Sequence, residues 1–318
     1  MFEIFIEHDK TIYSPVVQEG ITWSTDRKGS PGQLSFKVVK DSVIDFTEGD
    51  KVEMKVDGKD VFCGFVFKKK RTKDGIINVT AYDQLRYLKN KDTYVFENKT
   101  ASEIVSMLAK DFHLQTGSVE DTKFKIASRV EDNSTLFDMI QNALDVTLEN
   151  RNEMFVLYDD FGKITLKSID NMKVDLLIDE ETGESFDYES SIDGDTYNKV
   201  KLIFENEETG KRDVYIAQDS NNMNQWGVLQ YFDKLQKGEN GKAKADALLS
   251  LYNTKTRTLS IKNVFGDTRV RAGSLVPVIL NLGDVKVQNF MLVEKCKHEF
   301  NGGQHLMTLT LRGGEFIA

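Results

Sequence analysis

The strongest constraint on the fold of this chain is a meander of short strands that it carries twice. From Arg257 to Arg312, apolar and polar residues alternate between glycine turns at Gly266 and Gly273. Leu275–Leu280 is followed by a Gly283-Asp284 turn, the long run Asn289–Phe300, the turn Asn301-Gly302-Gly303, and the return Leu306–Leu311. Period-two alternation on both sides of an Asn-Gly turn predicts a hairpin. The N-terminal region repeats the plan. Gln33–Phe36 leads to Gly49 and Lys51–Val56, then to Val61–Val66, a Lys73-Asp74-Gly75 turn and Ile76–Ala81. Leu34-Ser35-Phe36 precedes Gly49 as Leu259-Ser260-Ile261 precedes Gly273, at spacings of 15 and 14 positions. A repeat on this scale decides the architecture before any single element does. The expected products are two related antiparallel β-barrels. Two unrelated meanders that share only glycine turns are the alternative at this level.

Between the copies the period changes from 2 to 3.6. Thr100-Ala101-Ser102-Glu103 is a capping box, followed by the stripe Ile104, Val105, Leu108 and Phe112. A second helix starts near Asn133-Ser134 with Leu136, Met139, Ile140, Ala143 and Leu144 on one face. Met154–Tyr158 and Ile164–Lys167 then form a hairpin about the turn 159–163, so that residues 93–172 read as a compact α+β module. The first copy opens with a strand over Phe2–Glu7 and another over Gln18–Ser24, and Asp83 caps a short helix carrying Leu85 and Leu88. The loop Arg27–Gly32, rich in Gly and Pro, reads as an exposed connection. Asp179–Asp195 reads as an acidic, turn-rich linker or loop. Tyr197–Glu205 pairs with Arg212–Ala217 across Glu208-Thr209-Gly210, Trp226–Phe232 reads as a strand, and Ala243, Ala247, Leu248 and Leu251 mark a third helix. The predicted class is α+β, mainly β. Its domains are 1–92 (first β-barrel), 93–175 (α+β insertion) and 176–318 (second β domain with one helix).

Residues arranged for chemistry are few. His8, His113, His298 and His305 include no pair at helical ligand spacing. His298 and His305 flank one hairpin turn and suit strand positions better than a metal site. No nucleophile elbow, P-loop or dinucleotide fingerprint is present. Asp159-Asp160 and Asp193/Asp195 fall in turns, where aspartate is favoured for backbone reasons. The basic run Lys68-Lys69-Lys70-Arg71 suggests a phosphate site. Strand alternation splits it across two faces, and a solvated strand end is the simpler reading. Cys63 and Cys296 occupy comparable places in the two long strands and read as small hydrophobes rather than a disulfide. Synthesis in a reducing cytoplasm is the expectation. With 42 Lys and Arg against 51 Asp and Glu, the formal charge of −9 argues against a general nucleic-acid binder. No apolar run reaches the roughly 18 residues of a membrane span. No residue is assigned to catalysis, to a cofactor or to a metal.

The order of features resembles the baseplate hub proteins of contractile phage tails and phage-tail-like particles, in particular the hub of PBSX-like prophages. The residues that carry the resemblance are Thr80–Leu88, Lys99–Val105, Asn133–Ile140, Gly266-Asp267, Arg271–Ser274 and the His298–His305 hairpin. It spans essentially the whole chain. It implies a homotrimer whose subunits each supply two tube-like β domains, giving a pseudo-sixfold ring that joins the sixfold tail tube to a threefold spike. The implied partners are a tail tube protein, a spike protein and other baseplate proteins, including a LysM-type companion. No sequence-specific nucleic-acid binding and no membrane insertion are implied. The implied location is a bacterial tail particle assembled after cytoplasmic synthesis, with a channel for DNA passage. An acidic lumen would let DNA pass without adhering, and the formal charge of −9 is compatible with one. The chain stops at Ala318 without a spike or lysozyme-like extension, which a separate chain is expected to supply.

Two rival readings make different demands. A tail-associated cell-wall hydrolase requires a paired-carboxylate or Cys/His cleft. A carbohydrate-binding β protein requires a monomer with clustered exposed aromatics, for which Trp226, Tyr231 and Tyr252 are the candidates.

Overall fold

The computed structural model describes residues 2–206, 210–235, 239–281 and 286–313. The Gly283-Asp284 turn and residues Glu208 and Thr209 of the second hairpin turn lie outside these. The fold is mainly β.

The first meander comprises β1 (Phe2–His8), β2 (Thr11–Tyr13), β3 (Val17–Asp26), β4 (Gln33–Val39), β5 (Lys51–Val56), β6 (Lys59–Arg71) and β7 (Ile76–Tyr82). Alternation decides which side each residue faces. On β5, Val52, Met54 and Val56 are buried while Lys51, Glu53 and Lys55 lie on the other face. Leu34, Phe36 and Val38 on β4 and Ile77, Val79 and Ala81 on β7 join the same core, with Trp23 among its largest fully buried side chains. β6 breaks the alternation, and Val61, Phe62, Cys63 and Gly64 are buried in succession. Both of its faces are covered there. A Cβ on Gly64 would overlap the carbonyl of Tyr82, so only glycine lets β6 approach β7 this closely.

A short 3-10 helix over Gln84–Lys89, capped by Asp83, leads into the inserted module. It contains β8 (Lys91–Thr100), α1 (Ala101–Asp111), β9 (Thr116–Val119), β10 (Lys125–Thr135), α2 (Leu136–Arg151), β11 (Phe155–Asp159) and β12 (Ile164–Ser168). Both halves of the capping box form, with the Glu103 N–H donating to Thr100 Oγ1 (3.2 Å) and the Thr100 N–H to Glu103 Oε2 (2.8 Å). The helix stripes, with Leu85 and Leu88, make a second core.

The acidic stretch 179–195 is not simply a linker, for it contains β13 (Ser185–Ser191), an outermost strand. Its exposed residues Phe186, Asp187, Glu189 and Ser190 hid it, because a strand covered on neither face loses its alternation. Next come β14 (Lys199–Asn206), β15 (Lys211–Gln218), α3 (Ser220–Trp226), β16 (Gln230–Lys234) and α4 (Gly241–Tyr252), with their own three-stranded sheet and core. This region therefore holds two helices, not one. Trp226 ends α3 instead of opening a strand, because the Asp219 carboxylate accepts from the N–H groups of Asn221 and Asn222 and starts a helix. On α4 the buried face is Gly241, Ala245 and Leu248, while Ala243 and Ala247 are exposed. Contact sets this face, since a Cβ on Gly241 would overlap the Tyr215 ring.

The second meander, β17 (Thr256–Phe265), β18 (Leu275–Asn281), β19 (Lys286–Asn301) and β20 (Gln304–Arg312), encloses a separate core that includes Leu259, Val276, Val293, Cys296 and Leu309. It reproduces the strand order of the first and the geometry of its opening glycine. Gly49 N–H donates to Val66 O (2.8 Å) and Gly273 N–H to Val293 O (2.7 Å), with φ of +94° and +93° at the two glycines. Both long strands slip register at the next step, between Val66 and Lys68 and between Val293 and Lys295. Strand neighbours also correspond, with β3-β4-β7-β6-β5 in one copy and β13-β17-β20-β19-β18 in the other.

The register corrects the placing of the cysteines. Cys63 lies opposite Glu53, as Phe290 lies opposite Pro277, whereas Cys296 lies opposite Leu309, as Lys69 lies opposite Val79. The two thiols are therefore not equivalent. Cys296 is buried inside its own copy, while Cys63 turns outward against the Phe161–Gly162 turn, and a Cβ on Gly162 would stand 3.0 Å from its Sγ.

Candidate functional site

The two copies join through one antiparallel ladder, β19 against β3, so that a single twelve-stranded sheet runs through both. Beside this seam the inserted module closes in, and the buried polar residues Asp83, Gln84, Asp159, Ser274 and His298 collect there. The loop Arg27–Gly32 belongs to the seam. Lys28 and Gly29 are exposed, but Pro31 and Gly32 are buried, which corrects the reading of a plain exposed connection. The Arg27 guanidinium, fixed by the turn after β3, makes a two-pronged ion pair with Glu294 on β19 (2.8 and 2.9 Å). The Gly32 N–H donates to Asp83 Oδ2 (2.8 Å), and no Cβ would fit between them.

Arg271, from the loop before β18, occupies the centre. Its guanidinium lies between the rings of Trp23 (5.5 Å) and Tyr158 (4.6 Å), and its Nη1 donates to the Asp159 carbonyl (2.8 Å). The neighbouring Ala272 N–H donates to Thr25 Oγ1 (2.9 Å). One residue thus touches the first copy, the inserted hairpin and its own copy. Gln84 fastens the module from the other side. Its Oε1 accepts from the Gln115 N–H (2.8 Å), and its Nε2 donates to the carbonyls of Gln115 and Gly162.

Two carboxylates are buried here. Asp83 accepts from the N–H groups of Gly32 and Leu85, and Asp159 from that of Gly162 (2.6 Å). Asp159 Oδ2 is buried without a hydrogen-bond partner. Burial raises both pKa values, Asp159 to about 6, and the charge of Asp159 raises Asp83 further while Arg271 opposes both.

A histidine relay crosses the same seam. His298 is fully buried, stacked on Trp23 at 4.6 Å. Its Nε2–H donates to the Val270 carbonyl (2.9 Å), which leaves Nδ1 to accept from His305 Nε2–H (2.9 Å). Cys296 Sγ lies 3.1 Å from His298 Nε2. That spacing resembles a nucleophilic pair, but the chemistry runs the other way. Burial pushes the thiol up and the imidazole down to about 3, so the neutral forms are favoured on both sides. A thiolate–imidazolium pair needs the opposite shifts.

Sequence reasoning brought His298 and His305 together correctly and placed Asp159 among turn acids. The signal for Asp159 was its phase, two residues after Leu157 and four after Phe155 on β11. Asp83 was read as a helix cap, which it is. Its pairing with Asp159 spans 76 positions and has no local signature. His8 pairs with Asp50 (2.8 Å), and His113 is exposed after α1. The proposed aromatic candidates do not form one exposed platform. Tyr231 and Tyr252 stack on each other with Tyr197 edge-on to both, against the small core under α4, and Trp226 lies beneath Lys255.

Residues 21–312 match the YQBQ-like family. Two Bacillus subtilis (strain 168) proteins are each 31% identical to the chain. Protein YqbQ aligns over 321 residues, 97% of this chain and 96% of its own length. The phage-like element PBSX protein XkdQ aligns over 323 residues, with the same 97% and 96%. Among solved structures, the 43 kDa tail protein of prophage MuSo2 from Shewanella oneidensis superposes with a TM-score of 0.72 at 13% identity, covering 99% of this chain and 100% of that one. The E. coli c3393 protein, a type VI secretion component described as structurally similar to T4 tail proteins gp27 and gp5, gives 0.56 at 10% identity, covering 97% and 76%. At such identities the likeness is one of fold.

Proposed function

The chain belongs to the YQBQ-like family, and we propose that it is a structural tail protein, the baseplate hub of a phage tail or phage-tail-like particle. The observation that carries this reading is the duplication, with matching strand order and opening-glycine geometry, across a continuous sheet. Two near-equivalent β units in one subunit let three subunits supply six wall positions, which suits a chain placed between a sixfold tube and a threefold spike. The likeness in fold to a prophage tail protein and to a type VI secretion component, and the PBSX origin of one relative, support the same reading. The domains we assign are two tube-like β units, 1–92 and 176–318, and the insertion 93–175. Within 176–318, residues 197–253 form a small satellite around their own core.

The role is non-enzymatic. The polar groups of the seam are buried away from any substrate, with Asp83, Asp159 and His298 at 6%, 5% and 0% exposure. The partners are the tube protein, the spike and neighbouring baseplate proteins including a LysM-type companion, and the finished location is the particle. A density map of the particle tests this directly. Three copies per ring are expected, and six separate copies would rule the arrangement out. A band on a peptidoglycan zymogram, lost on changing one carboxylate to its amide, would overturn the non-enzymatic role.

A further inference from the structure

We propose that the free edge of β13 in one copy of the chain pairs with the outer end of β6 in a second copy. This pairing would repeat between chains the β3–β19 seam formed within one. In that internal seam, Lys295 lies opposite Asp26, Lys297 opposite Ser24 and His298 opposite Trp23. The duplication carries each side across. β13 stands to β17 as β3 stands to β4, so Ser191, Glu189 and Tyr188 take the places of Asp26, Ser24 and Trp23. β6 stands to β7 as β19 stands to β20, so Lys68, Lys70 and Arg71 replace Lys295, Lys297 and His298.

Both edges are open among the described residues. β13 pairs only with β17, and β5 leaves β6 at Phe65, as β18 leaves β19 at Leu292 before β3 takes over that side. The transferred register also matches in charge. Exposed Lys68 and Lys70 fall on the same face as exposed Asp187 and Glu189, with Lys70 directly opposite Glu189. On the other face Arg71 meets Tyr188, whose hydroxyl is buried without a hydrogen-bond partner in the isolated chain. The basic run and the acidic stretch are thus the two halves of one interface. Charged free edges resist indiscriminate pairing while selecting a complementary one. Because the edges differ, each copy offers one of each kind, and the contact either closes a ring or runs on as a filament. Closure at three rests on the hub reading; the edge pairing does not.

The test mixes full-length Lys70→Cys protein with full-length Glu189→Cys protein under mild oxidation and reads cross-linked dimer. A mixture of Lys37→Cys with Glu189→Cys serves as control, and the native thiols are buried. Dimer is expected in the first mixture only. Lys70→Glu should weaken association about fivefold and Glu189→Lys in the same chain should restore it. A chain that sediments as a trimer without the 70–189 cross-link overturns the edge pairing and leaves the hub reading standing. Cross-linked material that sediments as an open-ended series of sizes supports the pairing and overturns threefold closure. Monomer without cross-link at any concentration overturns the pairing.

Discussion

Asp159 and His298 lie in one seam and respond to pH in opposite directions. The folded-state pKa of Asp159 is raised from the ordinary 3.8 to about 6. Between those values the native state binds more protons than the unfolded chain, so this group costs stability as pH rises through the window. His298 is lowered from 6.5 to about 3, and the unfolded chain binds more protons there. Its contribution is complete above 6.5 and is lost as pH falls toward 3. Asp159→Asn keeps an oxygen for the Gly162 N–H and removes the charge. It should raise stability at pH 7 and above by about 1–3 kcal/mol. The gain should shrink through pH 6 and vanish near 4, as followed by thermal unfolding in a pH series. A gain that persists unchanged at pH 4 would mean that the charge is not the cause. Nothing in the sequence foretold this opposition, because Gln84 and Arg271 reach the Asp159 turn from two distant segments.

Elements with two covered or two opposed faces were legible, and those exposed on both faces were not. The four-strand meanders, the capping box and the stripes of α1 and α2 all follow from period and caps. β8, β10 and β13 did not, since polar residues dominate their free faces. The glycine that opens each repeat offers a controlled comparison. Gly49 and Gly273 share one backbone conformation, but a Cβ at Gly49 meets nothing within 4 Å while one at Gly273 would overlap Val156 of β11. Gly49→Ala therefore isolates backbone strain, about 1–2 kcal/mol. Gly273→Ala adds the clash and should cost about 1–3 kcal/mol more. Denaturant midpoints for the two variants check this, and equal losses would show that the inserted hairpin does not press on the second repeat.

At the scale of the whole molecule the sequence disclosed the duplication but not how the copies are joined. Pairing β3 with β19 closes a span of some 270 positions, and alternation says which strands exist without saying which edges meet. The joint matters because the cores on either side are separate clusters, with Phe300 from β19 entering the first-repeat core while Val293 and Cys296 serve the second. Cooperative unfolding of the chain then depends on the seam, and Arg271 is the residue that touches all three units. Arg271→Ala removes both ring contacts and the bond to the Asp159 carbonyl, and it leaves two buried carboxylates without their balancing charge. The cost should be about 2–4 kcal/mol. It should fall on the junction more than on either core, so calorimetry is expected to resolve the wild-type transition into two, the lower one moved furthest. The same variant should keep the far-ultraviolet spectrum of the native chain, since no strand loses its ladder. A single transition, shifted as a whole or not at all, would show that the β19–β3 ladder and the Arg27–Glu294 pair couple the repeats without Arg271.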